Sequence, residues 1–509
     1  MASLKDLLKK FFCKKENADP IDDVETLRSA FQERYHNFKL LLSSNSKVLG
    51  IMAGMEQALE GIHPFGMAFV RSSCTSISVN VFRMVKKLDL LAPEKYQDLF
   101  DAFNKIQQKL DPILQQKKEL ADKRLAIGLN SIDKEMADLA GSKMANLGEV
   151  KNKGKAQVPE GFVITAYAYH RFIEQNDLQT EIDRKFQATD LEDIESLYSL
   201  SAEIQQIIIR AKIPDDLKVS IFELWKELEE KAGKDITVAL RSSALGEDEA
   251  GNSFAGQYRS VLNVDFDDIF NAYKEVIASK YSLPAITYRL NKGFRDEDIS
   301  MCVGCMVMVD AKAGGVTYSR NPVDASDDSI HINSALGLPK FVVDGRGSCD
   351  HFVVSRNDRR VILEKIADKE KKFVCYPKKG VCRLDLAGKE RGQPSLEPNH
   401  IAMLADIAIE LEDYYGTSQD IEWAINKEDA LYILQCRALQ QREPESLSIG
   451  EDIVATQDKT ILLQGGVTAS PGTAYGATYK VDQGIDILQF SKGSILVARQ
   501  ALPRWAPLL

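Results

Sequence analysis

Residues 419–437 read QDIEWAINKEDALYILQCR. Two apolar runs flank a polar turn over residues 426–429, which predicts two strands lying side by side. Such a pairing sets Glu422 beside Gln435. A carboxylate and an amide oxygen held together suit Mg²⁺, a hard cation that also takes phosphate oxygens and water. Strand alternation puts Gln435 and Arg437 on one face, so Arg437 can reach a terminal phosphate next to the metal.

Working back along the chain, three more stretches carry the same chemistry. Residues 236–243, ITVALRSS, form an apolar strand that delivers Arg241 at its end, and residues 246–264, GEDEAGNSFAGQYRSVLNV, follow it. A guanidinium there can pair bidentately with phosphate oxygens. Gly246, Gly251, Gly256 and Ser253 suit a flap whose amides donate to a nucleotide. The plainer reading pairs Arg241 with Glu247 or Asp248 in an ordinary loop. Residues 141–149, GSKMANLGE, surround Lys143 with small residues and precede VPEGFV at 158–163. That allows a backbone turn to approach a phosphate while the ammonium reaches it as a point charge. Residues 313–322, AGGVTYSRNP, and 334–340, SALGLPK, read as a strand and turn lining a cleft.

These patterns, in this order, resemble the nucleotide-binding region of the phosphoenolpyruvate synthase and pyruvate phosphate dikinase family over roughly residues 130–505. The resemblance implies an ATP-grasp fold in which two lobes clasp Mg-ATP. It implies that Lys143 and Arg241 bind phosphate and that Gly256 and Ser260 contact the nucleotide. It likewise assigns metal and phosphate binding to Glu422, Gln435 and Arg437, with catalysis carried by Lys143, Arg241 and Arg437. Two departures stand out. A glutamine is expected near the nucleotide in a V-Q-x-M-V pattern, where this sequence reads VGCMV with Cys305. A family-like GLGE segment reads Gly337-Leu-Pro-Lys340, replacing a carboxylate with an ammonium.

The chain of 509 residues is long enough for about three domains. The expected fold class is α+β. A helical module spans 1–128, a two-lobed ATP-grasp domain 129–441, a linker 442–459, and the opening of a β-rich swivelling domain 460–509. In the first of these, Val24, Leu27, Phe31, Phe38 and Leu41 recur at helical spacing, as do Leu99, Phe103, Ile106, Leu110 and Ile113. The module reads as an interaction or regulatory unit. Its first sixteen residues set leucines and phenylalanines against lysines, an amphipathic pattern that packs on its own domain or rests on a surface or partner. A net charge of −10 argues against nucleic acid as the main partner. No apolar run is long enough to span a bilayer. Eight scattered cysteines read as reduced thiols of the cytoplasm, and the lone Cys302-x-x-Cys305 reads as core packing.

In the resembled family, the β-phosphoryl of ATP moves to a histidine on a swivelling domain and then to an acceptor, leaving AMP and phosphate. The six histidines (36, 63, 170, 331, 351 and 400) all precede the segment that resembles that domain, and His351 reads as a structural strand residue. The expected partner is therefore a polypeptide or domain bearing the phosphohistidine and the acceptor site, with pyruvate or a phenol-type compound as acceptor. Two arrangements stay open: a piece of a longer single-chain synthase, or a subunit like the ATP-binding one of phenylphosphate synthase. A non-catalytic scaffold with a degenerate ATP-grasp domain is the alternative from a different class. A carboxylate–amine ligase, which makes ADP, is a weaker third.

Overall fold

A computed structural model describes residues 24–439, apart from 60–66, 94, 115–121, 155, 190, 192, 248–256, 293–295, 297–298, 325, 346 and 377–379, together with 476–481 and 493–498. The amphipathic first sixteen residues, the linker and Gly256 lie outside the described residues. The chain divides into two compact units: Met1–Glu119 with Arg289–Asp298, and Leu120–Tyr288 with Ile299–Leu509.

The first unit is helical, with α1 (Val24–Leu59), α2 (Met67–Leu91) and α3 (Asp98–Leu114). Its interior uses small and polar residues: Asn37, Ser44 and Val48 of α1, and Ser73, Asn80 and Val85 of α2, are buried. Arg34 donates to the Leu91 carbonyl at 2.9 Å and Arg71 to the Leu114 carbonyl at 2.8 Å. Each guanidinium thus satisfies an orphan carbonyl at the negative end of a helix. The predicted stripe is helical, but part of it does not face inward. Phe31 and Phe38 of α1, and Ile106 and Ile113 of α3, are about half exposed; on α1 the buried positions are Asn37, Ser44 and Val48 instead.

The second unit is α+β. Its first sheet contains β1 (Ala126–Gly128), β2 (Gly161–Ile164), β3 (Val238–Ala244), β4 (Val261–Val264) and β5 (Met301–Val307) in the order β1-β2-β5-β3-β4. All its neighbours are antiparallel. Its second sheet begins with β6 (Ala311–Tyr318), β7 (Ile330–Leu336), β8 (Asp350–Val354) and β9 (Val361–Lys365). A separate hairpin, β10 (Lys371–Tyr376) with β11 (Gly380–Asp385), comes next. Then β12 (Gln419–Asn426) and β13 (Leu431–Ala438) return to give the antiparallel order β13-β12-β6-β7-β8-β9. The helices that position the site are α4 (Ser142–Asn152), between β1 and β2, and α5 (Pro398–Tyr415), before β12.

Alternation assigns the second sheet its two faces. Ile332, Phe352, Ile421 and Trp423 are fully buried in one core cluster with Leu404, Ala405, Ala408 and Leu411 of α5. The intervening residues, including Asp420 and Glu422, are then directed to the opposite face. The opposite side is polar at the Asp420 end, while Ala424 farther along β12 belongs to a second, smaller core cluster with Ala311 and Leu338. Further along the chain, β14 (Thr478–Val481) and β15 (Ile495–Ala498) pair in parallel. They are the described part of the segment expected to open a swivelling domain.

Gly141 brings the start of α4 against the end of β3. It precedes α4 with φ +74°, and a Cβ built on it would lie 2.0 Å from the Ser243 carbonyl oxygen at the end of β3. Only glycine permits that approach without strain. Gly141→Ala is expected to cost at least about 2 kcal/mol in urea unfolding, since it meets both an unfavourable φ and fixed backbone. A loss below about 0.5 kcal/mol would show that α4 and β3 can separate freely.

Candidate functional site

The hairpin behaves as its sequence predicts: Glu422 stands directly opposite Gln435, and Asp420 opposite Arg437. A bulge follows between Glu422 and Trp423, so the register is regular from Gln419 to Glu422 and shifts beyond it. Asp420 and Gln435 are buried, with Glu422 and Arg437 only partly exposed.

Arg241 reaches this hairpin from the other sheet. Its Nη2 donates to Glu422 Oε2 and to Gln435 Oε1, both at 2.7 Å, and its Nη1 donates to the Leu434 carbonyl at 3.0 Å. Arg241 therefore does not take Glu247, one of the two partners the plainer loop reading offered; the other, Asp248, lies outside the described residues. Two oxygen atoms, one of a carboxylate and one of an amide, converge on one cationic nitrogen, and oxygen is the ligand type that hard cations favour. Beside them, Arg437 donates from Nε and Nη2 to Asp420 Oδ2 at 2.9 and 2.7 Å. Asp420 escaped the sequence reading. The signal was available, because it lies two residues before Glu422 on the same strand face and opposite Arg437.

Lys143 sits in the first turn of α4, and its Nζ is 2.6 Å from Glu247 Oε1. Glu247 is itself buried and accepts from the Ala244 amide at 3.1 Å through Oε2. The Met144 amide donates to Ser243 Oγ at 3.2 Å, which ties the start of α4 to the end of β3. A lysine at a helix N-terminus beside glycine-flanked backbone is an arrangement that favours anions. Ser260 precedes β4, where Val261 pairs with Leu240, the neighbour of Arg241. Among the described residues no hydrogen bond joins Ser260 to the other site residues.

Tyr318 extends the polar row: it is the cross-strand partner of Asp420 on one side and of His331 on the other. Burial, reinforced by the Asp420 carboxylate, pushes its phenol up to about 12. It remains a neutral hydroxyl throughout the physiological range.

Residues 137–457 match the family described as pyruvate phosphate dikinase, AMP/ATP-binding domain. The chain belongs to this family. It is 34% identical over 383 residues to a probable phosphoenolpyruvate synthase of Archaeoglobus fulgidus, covering 75% of this chain and 50% of that protein. A probable phosphoenolpyruvate synthase of Methanocaldococcus jannaschii is 33% identical over 386 residues, 75% of this chain and 32% of the relative. The phosphoenolpyruvate synthase of Neisseria meningitidis is 31% identical over 394 residues, 72% of this chain and 49% of the relative. The chain thus spans between a third and a half of the length of these relatives.

Within this AMP/ATP-binding domain the sequence departures acquire a physical setting. Cys305 is fully buried opposite Phe162 and Leu240, and burial raises its thiol pKa far above the usual range. It packs the core. Gly304, the residue following Val303 in VGCMV, is the one paired with Arg241. A Cβ there would lie 2.2 Å from Met144 Sδ, so Met144 occupies the space a longer side chain would need. Lys340 stands 3.4 Å from Asp344 one turn on, which offsets the ammonium that replaced a carboxylate. Cys302 donates its thiol hydrogen to the Leu139 carbonyl at 3.3 Å.

Four described histidines have identifiable structural partners. His351 Nε2 faces His331 Nδ1 at 3.2 Å in adjacent strands, and burial lowers the pKa of both. His170 meets Ser300 Oγ at 2.8 Å. His400 completes a capping box with Glu397 at the start of α5.

Proposed function

We propose that this chain is the ATP-binding component of a dikinase-type phosphotransferase, with the two antiparallel sheets forming the lobes of an ATP-grasp fold. The observation that carries this reading is Arg241 of one sheet holding Glu422 and Gln435 of the other through a single nitrogen, beside the Asp420–Arg437 pair. Charged groups of this kind, fixed before substrate arrives, suit phosphoryl transfer, where positioning and charge neutralisation account for most of catalysis.

In this reading Lys143 and Arg241 bind phosphate oxygens, and Arg437, oriented by Asp420, binds the terminal phosphate. Glu422 and Gln435 hold Mg²⁺, which supplies charge neutralisation on the phosphate oxygens when bound. Gly256 and Ser260 contact the nucleotide. The overall reaction converts ATP, acceptor and water to AMP, phosphate and phosphorylated acceptor. It passes through a phosphohistidine outside the residues of this chain, on a partner domain or polypeptide. The acceptor is pyruvate or a phenol-type compound, the setting cytoplasmic, and the domain boundaries lie near residues 128, 441 and 459.

The test is to combine the chain with a histidine-bearing domain of a phosphoenolpyruvate synthase or phenylphosphate synthase and measure AMP from Mg-ATP. AMP formation with ³²P from the β position on histidine is expected. ATP left intact with every such partner would favour the scaffold reading, which Lys340 in place of a carboxylate motivates; ADP would favour a ligase. Within the site, Lys143→Ala is expected to weaken Mg-ATP binding at least about tenfold by calorimetry, from loss of a charge-assisted contact of roughly 1.5–3 kcal/mol. Unchanged affinity would remove Lys143 from the site.

A further inference from the structure

The helical unit carries a second, unused apolar face. Phe31, Tyr35, Phe38, Leu42, Leu49 and Met52 of α1 are 52, 57, 48, 47, 57 and 47% exposed. With Asn45 they recur at alternating steps of four and three residues across residues 31–52, the spacing of a coiled-coil seam. The face that packs inside the unit is a different one, carrying Asn37, Ser44 and Val48. Six large apolar side chains in one line exceed the scattered exposure normal for a soluble surface.

We propose that this seam is a homodimer interface, in which α1 of one copy packs antiparallel against α1 of a second. Three observations support this occupant. First, the ends of the seam carry opposite charge, Arg28 before Phe31 and Glu56 after Met52, both on exposed positions in heptad register with Tyr35, Leu42 and Leu49. Antiparallel pairing brings Arg28 of each copy within about one helical turn of Glu56 of the other; parallel pairing sets like against like. Second, the aromatic residues lie in the first half of the seam and the smaller ones in the second. Antiparallel packing then sets Phe31 against Leu49, Phe38 against Leu42, and the Tyr35 hydroxyl beside the Asn45 amide. Large side chains meet smaller ones, and the two polar groups meet each other. Third, the six side chains offer roughly 600 Å² per copy, most of the ~800 Å² that each partner buries in a standard interface.

Sedimentation velocity of the full chain should show a dimer. Leu42→Arg should raise the dimer dissociation constant at least about a hundredfold by burying an unpaired charge at the centre of the seam. Far-UV circular dichroism and Mg-ATP binding should stay as in the parent chain. Arg28→Glu and Glu56→Arg should each weaken the dimer several-fold, and the double exchange should restore it. For orientation, a cysteine at position 31 should cross-link to one at 49 of the other copy. It should not cross-link to its own equivalent, which lies ~27 Å away along the seam. A chain monomeric at every concentration, a dimer indifferent to Leu42→Arg, or a 31-to-31 cross-link would each overturn the proposal. So would a monomer that binds phosphatidylcholine vesicles through the seam and loses that binding in Leu42→Arg.

Discussion

Arg241→Ala should weaken Mg-ATP binding by at least about a hundredfold, the largest effect expected of any single substitution in the site. Arg241 contributes twice. In the structure it gathers Glu422 and Gln435 at 2.7 Å each and holds the Leu434 carbonyl at 3.0 Å. In the proposed complex it also pairs with phosphate oxygens, where charge-assisted bonds of the guanidinium are worth roughly 1.5–3 kcal/mol each. Truncation removes those bonds and leaves a partly buried carboxylate facing a buried amide oxygen, so the pair proposed to hold the metal loses its alignment as well. Arg241→Lys should recover less than a tenth of the lost affinity, because an ammonium is a point charge and cannot address three acceptors in a planar fork. Calorimetric titration with Mg-ATP, at a temperature where circular dichroism shows both variants folded, provides the measurement. Affinity unchanged in Arg241→Ala would mean that the guanidinium only bridges two sheets. In that case a fall in thermal midpoint without a fall in affinity would identify it as structural.

Most of this site was legible because it is built from strands, whose period of two converts sequence spacing directly into side-chain direction. From QDIEWAINKEDALYILQCR alone, Glu422 is placed beside Gln435, and the register bears this out. The same rule gives Asp420, two residues before Glu422 on the same strand face and opposite Arg437. What could not be read was partner choice between sheets. Arg241 and Glu422 are separated by 181 positions, and no local pattern distinguishes that pairing from the nearer Glu247. Lys143 takes Glu247 because the start of α4 is drawn against the end of β3 at Gly141, a tertiary contact. The helical module was legible as helices, while the direction of its apolar stripe was not. Two apolar faces overlap on α1, and hydrophobic spacing reports that a face exists without saying which one is covered. The departure near Cys305 was legible in part: laying V-Q-x-M-V on VGCMV puts the glutamine position at Gly304, and the cross-strand register adds that Gly304 pairs with Arg241.

Asp350→Ala should destabilise the second unit by about 3–5 kcal/mol, the range for breaking one side of a buried ion pair. Asp350 is fully buried at the start of β8, and Lys369, 1% exposed, donates to its Oδ1 at 2.6 Å. The same carboxylate accepts the Ala367 amide at 2.9 Å, the Ser395 amide at 2.8 Å and the Ser395 hydroxyl at 2.6 Å. One side chain therefore ties β8 to two later segments of the chain, including the one that leads into α5. Alanine leaves an ammonium, two amides and a hydroxyl without that acceptor in the interior, and the uncompensated charge is the most costly of these. Asp350→Asn keeps an acceptor oxygen but not the charge, so a loss between that of alanine and zero is expected. The decisive comparison is the double variant Asp350→Ala, Lys369→Met. Removing both charges should return a substantial part of the loss, since a buried pair is costly to halve and much less costly to replace with apolar groups. Urea unfolding followed by intrinsic fluorescence measures all three. If Asp350→Ala loses less than about 1 kcal/mol, water reaches the lysine and the pair is not sealed. If the double variant is as unstable as the single one, the amide and hydroxyl bonds to the carboxylate carry the stability, and the ion pair is secondary to them.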